Sequence, residues 1–285
     1  MRKRYFFIAI MLFLASCETF IEVELPTEAP QVTVNSVLNA DSTITVNLTK
    51  SRASGTQGSV YEKIANAEIS FYKNNQKLAQ LLYAGNGNYR LAGLLLNEPN
   101  TLYGVKVNVP GFKTIEAEDI MPLKPLISSF KAPLYINSNF LYKDFKISLT
   151  LNDTPESNFY LIRAFLVSPG RKSIIYMQIN NNLGQFSPKE SREISIFTDK
   201  QFNGKSVQLE LDISNLLVSQ GPHTIMVELG NISRAYYDYE FTVKKQLGNN
   251  PLFGQEYIPV TNNIKNGLGI FASYNSTVFS FEVKK

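Results

Sequence analysis

The stretch Val207-Gln208-Leu209-Glu210-Leu211-Asp212-Ile213 alternates apolar and polar residues without a break. Successive side chains of a β-strand point to opposite faces, so this period of two predicts a strand with one buried and one solvated face. The same alternation recurs at short intervals, between segments rich in Gly, Pro or Asn that favour turns. The other runs cover residues 44–48, 67–71, 103–109, 145–151 and 225–229. We therefore predict a mainly β protein.

A proline-rich segment divides the strand pattern into two halves. Met121-Pro122-Leu123-Lys124-Pro125 has two prolines and no strong periodicity, which is typical of a domain boundary. Short strands on each side of it fit two antiparallel β-sandwich domains. We place one antiparallel sandwich at residues 31–122 and a second β-rich domain at 127–285. The tail, 267–283, is rich in Gly and Ser, and Val278 is predicted to open its last strand.

One segment of the second half changes to a helical period. Apolar residues follow at spacings of three, four and four, which predicts a helix over about 233–247. Ser233 is the expected N-terminal cap and Gly248 the expected C-terminal stop. The residues that carry the helical spacing are Tyr236, Tyr239, Val243 and Leu247.

Three tyrosines of this helix form the main candidate for an interaction site. We expect Tyr236 and Tyr239 to face the core, because they lie on the apolar stripe. Tyr237 is expected to point elsewhere, where its amphipathic ring is available to an interface. Core packing is the favoured use of the cluster as a whole.

The first residues predict export and a lipid anchor. Positively charged residues 2–4 precede an apolar run at 5–14, which is too short to span a bilayer. Leu14-Ala15-Ser16-Cys17 follows and resembles the bacterial lipobox, in which the cysteine carries the lipid. We therefore predict a lipoprotein signal peptide at residues 1–16 and lipid attachment at Cys17. The alternative is an ordinary signal peptide with a chance cysteine, although Cys17 is the only cysteine in the chain.

Residues 17–30 are predicted to be a lipidated acidic tether. The segment 18–26 holds Glu18, Glu22 and Glu24 and no basic residue. Acidic residues at this place resemble surface-export signals of Bacteroidota lipoproteins, and a solvated tether is an equal alternative. We expect an outer-membrane location, and the sequence leaves surface and periplasmic facing open.

Composition excludes nucleic acid as a partner. The chain has 28 basic and 24 acidic residues, and residues 1–16 contain three of the bases and no acid, so the mature chain has a net charge of +1. A nearly neutral chain without a long basic run lacks the electrostatic footprint of a nucleic-acid-binding protein. An apolar content of 44% is sufficient for packed cores.

Motifs for catalysis and cofactors are missing from the sequence. His223 is the single histidine, so a zinc site or a nucleophile–histidine dyad has at most this one imidazole. The nucleophile elbow, the P-loop and the dinucleotide-binding glycine pattern are absent. We predict no enzyme, no cofactor and no metal. Scattered carboxylates in the second half leave a glycosidase-like hydrolase as a formal alternative.

Two short polar segments allow a functional and a structural interpretation. Asn152-Asp153-Thr154-Pro155-Glu156 offers oxygen ligands for calcium, but it lacks the alternating spacing of a calcium loop and is typical of a turn. Asp41-Ser42-Thr43 resembles the short O-glycosylation sequon of Bacteroidota proteins, a pattern that also arises by chance.

The ordered motifs of the chain resemble a known lipoprotein family. The first half resembles Ig-like modules of the carboxypeptidase-regulatory kind, in Gly87-Asn88-Tyr89-Arg90, Tyr103-Gly104-Val105-Lys106-Val107 and Pro110-Gly111-Phe112-Lys113. The second half carries Phe202-Asn203-Gly204-Lys205, 232–239, Gly248-Asn249-Asn250-Pro251 and 266–271. Together with the lipobox they resemble a Bacteroidota outer-membrane lipoprotein family of unknown function. Ala235 departs from that family, in which an acidic residue often follows the Ser-Arg pair.

The resemblance implies a protein that is often encoded beside a TonB-dependent receptor, with no established activity. We expect a non-enzymatic outer-membrane lipoprotein that acts as an accessory or cargo-binding subunit of a TonB-dependent transporter, with peptide or another nutrient as cargo. The alternatives are a surface adhesin or structural spacer and, less favoured, a surface hydrolase. A spacer predicts a hinge near residues 122–125, whereas an accessory subunit predicts one rigid body.

Overall fold

A computed structural model describes residues 29–52, 60–94, 96–138, 142–180, 193–217, 222–248 and 258–283, with the backbone alone at 132–138 and 215. The strands are β1 (Val32–Asn39), β2 (Ile44–Lys50), β3 (Glu68–Lys73), β4 (Gln76–Tyr83), β5 (Asn88–Leu91), β6 (Leu102–Asn108), β7 (Ile115–Ile120), β8 (Leu126–Ser138), β9 (Tyr142–Asn152), β10 (Phe159–Ser168), β11 (Arg171–Ile175), β12 (Gln178–Ile179), β13 (Ile194–Thr198), β14 (Ser206–Leu217), β15 (Thr224–Ile232) and β16 (Leu268–Glu282). The described helix is α1 (Arg234–Gly248).

The described strands form two sheets. The larger has the order β11-β10-β15-β16-β1-β2-β5-β4-β3-β6-β7, with β13 also paired to β10. The smaller has the order β12-β14-β9-β8. Most pairs are antiparallel, and β1 with β16 is parallel. The prediction of a mainly β protein with β-sandwich architecture and one helix is confirmed.

The first sandwich forms because one half of the large sheet folds back on itself. Alternate residues of β1 and β2, such as Val34 and Val46, face alternate residues of β3 and β6, such as Phe71 and Val105. Each of these side chains is at most 2% exposed. Burial of large aliphatic and aromatic side chains contributes about 1.5–3 kcal/mol each, so this core stabilises the fold without any disulfide.

The second sandwich packs the small sheet against the other half of the large sheet. Apolar residues of β9 and β14, including Phe145 and Leu209, contact those of β10 and β15, including Ile162 and Val227. The stretch that begins at Val207 is β14, and its apolar residues face this core as its alternation predicts. Helix α1 covers the opposite face of β10, β15 and β16.

Strand β16 belongs to both sandwiches. Its first half pairs with β1, in the register Thr33↔Leu268 to Asn39↔Tyr274. Its second half pairs with β15, from Ile232↔Tyr274 to Thr224↔Glu282. The limits of two separate domains therefore stay a prediction, since one strand continues the sheet between them.

The start of β16 differs from the sequence prediction by ten residues. The strand begins at Leu268, not at Val278, because residues 270–276 are buried on both faces and lack the alternation that reveals a half-buried strand. Gly269 permits the close pairing with β1. Its φ is +109°, and a Cβ at this position would lie 2.0 Å from the carbonyl oxygen of Val34.

The proline-rich segment between β7 and β8 lies against β16. Met121 is fully buried, and its N–H and C=O bond to the backbones of Thr101 and Asn100. Three polar residues on one face of β16 then donate to this part of the chain. Ser273 Oγ bonds to Ile120 O at 2.8 Å, Asn275 Nδ2 to Pro122 O at 3.4 Å and Thr277 Oγ1 to Pro125 O at 3.5 Å.

Candidate functional site

A concave polar surface lies over β1 and β2. The alternation of both strands buries Val34 and Val46 and turns Asn35 and Asn47 outward. The groove has a volume of about 610 Å³. We call it the β1–β2 groove, and it is lined by Thr33, Asn35, Asn47, Thr49, Ser51, Arg52, Tyr61, Lys63 and Leu268.

Paired polar side chains form the floor of the groove. Thr33 is opposite Thr49, and Asn35 is opposite Asn47, across the antiparallel pair of β1 and β2. Asn47 Nδ2 donates to Asn88 Oδ1 at 2.8 Å and to a backbone carbonyl at 3.2 Å, which fixes the orientation of its amide. The floor therefore presents hydroxyls and amides, groups that both donate and accept hydrogen bonds.

The charge of the groove is positive. Arg52 and Lys63 line it, and none of its described lining residues is Asp or Glu. Neither cation takes part in an ion pair among the described residues, whereas the neighbouring Lys50 is bound to Glu62. The Arg52 guanidinium lies 4.7 Å from the centroid of the Tyr61 ring. This cation–π contact holds the guanidinium in place without neutralising it.

The pairing of residues 62–64 with β2 fixes the position of the second cation. Lys50 N–H donates to Glu62 O, Ile64 N–H donates to Leu48 O, and Thr49 bridges to Lys63. Lys63 therefore projects from an extended segment, two residues after Tyr61. Such an arrangement has the chemistry to bind anions and hydrogen-bonding groups. None of the described lining residues has a carboxylate or imidazole that would act as a general base.

The single histidine lies outside this groove. His223 is 5% exposed, and its Nδ1 is 2.8 Å from Ser168 Oγ, across the pair formed by β10 and β15. Its carbonyl accepts from Val283 N–H. A serine and an imidazole do meet here, but at the buried end of a strand pair, and neither residue lines a described pocket. We interpret the contact as a structural cross-strand bond.

The calcium candidate at 152–156 forms a braced turn. Asp153 accepts from Tyr160 Oη and, at 2.8 Å, from the N–H of Gly204. Burial, together with the bond to Asp153, raises the pKa of the Tyr160 hydroxyl. Asn158 bonds back to Thr154 and Glu156. Within the described part of the chain, no group of three or more His, Cys, Asp or Glu side chains converges on a point.

Tyr237 is placed differently from the prediction. The expectation that it points away from the core is wrong: the side chain is 6% exposed, with its ring 4.9 Å from Phe159 and 6.0 Å from Phe241. Tyr236 is buried as expected, against Tyr274. Helix α1 thus buries two adjacent positions in an apolar cluster with β10, β13 and β16.

Tyr237 also lines a cleft on the surface, so an interface role for this residue stays a prediction. The cleft has a volume of about 300 Å³ and includes Phe159, Lys200 and Arg234. Arg234 is bound to Asp238 at 2.7 Å, one helical turn along α1.

A buried ion pair stiffens the sheet beneath α1. Arg163 Nε donates to Glu228 at 2.7 Å, and Arg163 Nη2 donates to Tyr274 Oη at 3.1 Å. Ser276 Oγ donates to the other Glu228 oxygen at 2.8 Å. Burial opposes the charge of Arg163, but the bond to Glu228 raises the pKa of the guanidinium overall. Each charge is matched by several bonds, so we assign this cluster to structure.

Some of the remaining predicted positions lie among the residues that the structure describes, and others do not. Cys17 and residues 1–16 lie outside the described residues, as does most of the acidic tether. Asp41, Ser42 and Thr43 form an exposed turn between β1 and β2, and Asp41 lies 3.5 Å from Lys124. Glycosylation of this turn stays a prediction. No helix among the described residues has the length and apolar character to span a membrane.

Sequence reasoning missed the β1–β2 groove. Its residues come from two strands, the loop start at Arg52 and the segment around Lys63, so no local motif marks it. The one signal in the sequence was the polar half of the β2 alternation, in which Thr45, Asn47 and Thr49 are all uncharged hydrogen-bonding residues.

The solved structures that match this chain share little sequence with it. Salmonella alpha-2-macroglobulin reacted with methylamine covers 78% of this chain at 16% identity and a TM-score of 0.24, and this chain covers 15% of its length. A collagen adhesin from S. aureus covers 91% at 9% identity and a TM-score of 0.19, with 96% of its own chain. At these TM-scores the matches carry no argument about function.

Comparison with curated proteins gives no match. The DUF4249 family, a domain of unknown function, matches residues 18–280. That match covers nearly the whole chain, and the protein therefore belongs to the DUF4249 family.

Proposed function

We propose that this chain is a non-enzymatic, lipid-anchored outer-membrane protein that acts as an accessory or cargo-binding subunit of a TonB-dependent transporter. The lipobox-like residues that end at Cys17 support the anchor, and the motif resemblance supports the transporter association. The anchor leaves the two sandwiches outside the bilayer, where they are available to a membrane-embedded partner.

The observation that carries the proposal is the connection between the two sandwiches. Ser273, Asn275 and Thr277 bond in sequence along the segment from Ile120 to Pro125, and β16 is shared by both halves. A spacer or adhesin stalk is expected to bend at that segment. A subunit that docks on a transporter is expected to move as one body, because docking then costs little conformational entropy.

The β1–β2 groove supports the cargo-binding variant of the proposal. It is open and polar, and it carries Arg52 and Lys63 on a rigid pair of strands, which is a suitable scaffold for ligand binding. A glycosidase-like hydrolase would need two carboxylates facing each other across a cleft. Neither described pocket offers such a pair, since the groove has no carboxylate and the cleft beside Tyr237 has only Asp238.

The test is an affinity pull-down from detergent-solubilised outer membranes, with the tag after Lys285 so that Cys17 stays lipidated. We expect recovery of one TonB-dependent receptor in a stoichiometric amount. Recovery of the lipoprotein alone, still from the membrane fraction, would overturn the proposal and favour the adhesin or spacer.

A matched variant separates anchoring from docking. Cys17→Ser removes the lipid attachment, and we expect the protein to leave the membrane fraction, because the acyl chains are its proposed attachment to the membrane. If the variant still recovers the receptor after it is added to solubilised membranes, the contact lies in the folded part of the chain. A variant that remains in the membrane fraction unchanged would contradict the anchor.

A further inference from the structure

The β1–β2 groove has the charge and hydrogen-bonding groups of a site for a specific class of ligand. Its described lining combines two cations with a floor of Asn and Thr side chains and includes no carboxylate. We propose that this groove binds an extended acidic peptide, with its carboxylates at Arg52 and Lys63 and its main chain over the Asn35–Asn47 pair.

The two cations favour carboxylates at alternate positions of a peptide. Arg52 is held over the ring of Tyr61, and Lys63 follows Tyr61 by two residues in a segment paired to β2. Side chains two residues apart in an extended chain lie on the same face, about 6.5–7 Å from each other. An extended ligand with acidic residues at i and i+2 presents both carboxylates on one face, toward the two cations that line the same groove. Arg also matches the planar carboxylate with paired donors.

The floor of the groove suits a peptide main chain better than a sugar. A peptide exposes alternating N–H and C=O groups, and the Asn35 and Asn47 amides and the Thr33 and Thr49 hydroxyls supply both donors and acceptors. A sugar ring usually stacks on an exposed aromatic face. Tyr61 is the only aromatic residue that lines the groove among the described residues, and one face of its ring is covered by Arg52.

We assign the groove to a free acidic peptide, and this assignment rests on the proposed cargo-binding function. The chain itself contains a segment of the same pattern before β1, Glu22-Val23-Glu24, with acids at alternate positions. The start of β1 adjoins the groove: Gln31 N–H donates to Ser51 Oγ at 2.9 Å, and Ser51 lines it. A tethered segment would compete through its high effective concentration.

The experiment uses the lipidated full chain in a neutral detergent and follows the fluorescence anisotropy of labelled peptides. Ala-Glu-Ala-Glu-Ala is the probe, and Ala-Ala-Glu-Glu-Ala has the same charge with the carboxylates on opposite faces. We expect the alternating peptide to bind more tightly, by about tenfold or more. Binding should also weaken as salt is added. Equal binding of the two peptides would overturn the proposed geometry.

The matched variants change charge inside or outside the groove. Arg52→Gln with Lys63→Gln should weaken binding of the alternating peptide by about tenfold or more. Lys77→Gln with Lys113→Gln removes the same charge from exposed residues elsewhere in the first sandwich and should leave binding within about twofold. Unchanged melting temperatures verify that both variants fold. Equal weakening by both pairs would overturn the site.

A last variant tests whether the chain's own acidic segment occupies the groove instead. In Glu22→Gln with Glu24→Gln we expect unchanged binding of the free peptide, and markedly tighter binding would show that the chain's own segment competes and would overturn the assignment to an external ligand. If neither this variant nor the wild type binds the alternating peptide, the proposal fails. These measurements need only the purified protein, so their outcome does not depend on whether the transporter pull-down succeeds.

Discussion

Ser273 offers a quantitative test of the connection between the two sandwiches. Its side chain is fully buried, and Oγ lies 2.6 Å from Asp119 Oδ2 and 2.8 Å from Ile120 O. Ser273→Ala removes the hydroxyl, whose single proton is shared by these two acceptors, and leaves a half-buried carboxylate with one donor fewer. Loss of a partner by a buried polar group costs about 1–3 kcal/mol, and the partial exposure of Asp119 reduces this to about 1–2 kcal/mol.

The pH dependence of this cost follows from the Asp119 carboxyl. Burial raises its pKa above the usual value, and hydrogen bonds from Ser233 and Ser273 oppose that rise. Because the folded pKa exceeds the unfolded one, the stability linked to this group is present below the unfolded pKa and is lost as the pH rises through the folded pKa. Ser273→Ala raises the folded pKa further. The variant should therefore lose more stability at pH 7 than near pH 4.

The assay is urea denaturation followed by far-UV circular dichroism, since the chain has no Trp for fluorescence. Ser206→Ala is the matched control, because Ser206 is exposed and makes one surface bond, to Asn152 at 2.7 Å. We expect its free energy of unfolding to change by less than about 0.5 kcal/mol. A Ser273→Ala loss as small as that of the control, or one independent of pH, would refute the reasoning.

Two further substitutions test the packing of β16 and α1. Gly269→Ala should lower the melting temperature several times more than Gly85→Ala. Both glycines have a positive φ, but only at Gly269 would the added Cβ lie 2.0 Å from Val34 O. Equal decreases would contradict the close strand pairing. Tyr237→Ala should lower the free energy of unfolding, measured by urea denaturation, by about 2–4 kcal/mol. Leu247→Ala, at an 82% exposed position of the same helix, should lower it by less than about 0.5 kcal/mol. A nearly neutral Tyr237→Ala would contradict the buried position.

Local periodicity predicted the elements that bury a single face. The alternation from Val207 gives β14, and the spacing from Tyr236 to Leu247 gives α1, with Ser233 Oγ accepting from Tyr236 N–H at 3.2 Å as the expected cap. The first ten residues of β16 were not predicted as a strand, because the buried section shows no alternation. Its parallel pairing with β1 joins residues more than two hundred positions apart, and no local pattern encodes such a contact.

The candidate site was less predictable than the fold. Strand pairing alone brings Asn47 and Lys63 into one groove. Their residue types and spacing in the sequence therefore do not indicate a shared site. The position of Tyr237 failed for a related reason. A helix that lies on a sheet and also contacts the side strand β13 buries a wider arc than its apolar stripe indicates, and Phe159 occupies the space beside it.

The rigidity of the connection between the sandwiches is tested most directly by a distance measurement. Spin labels at Lys77→Cys and Lys205→Cys, two exposed positions in different sandwiches, are compared by double electron–electron resonance in a Cys17→Ser background. A shared β16 and the bonded segment from Ile120 to Pro125 predict a single narrow distance distribution. A broad or multiple distribution would contradict the rigid body and favour a jointed spacer.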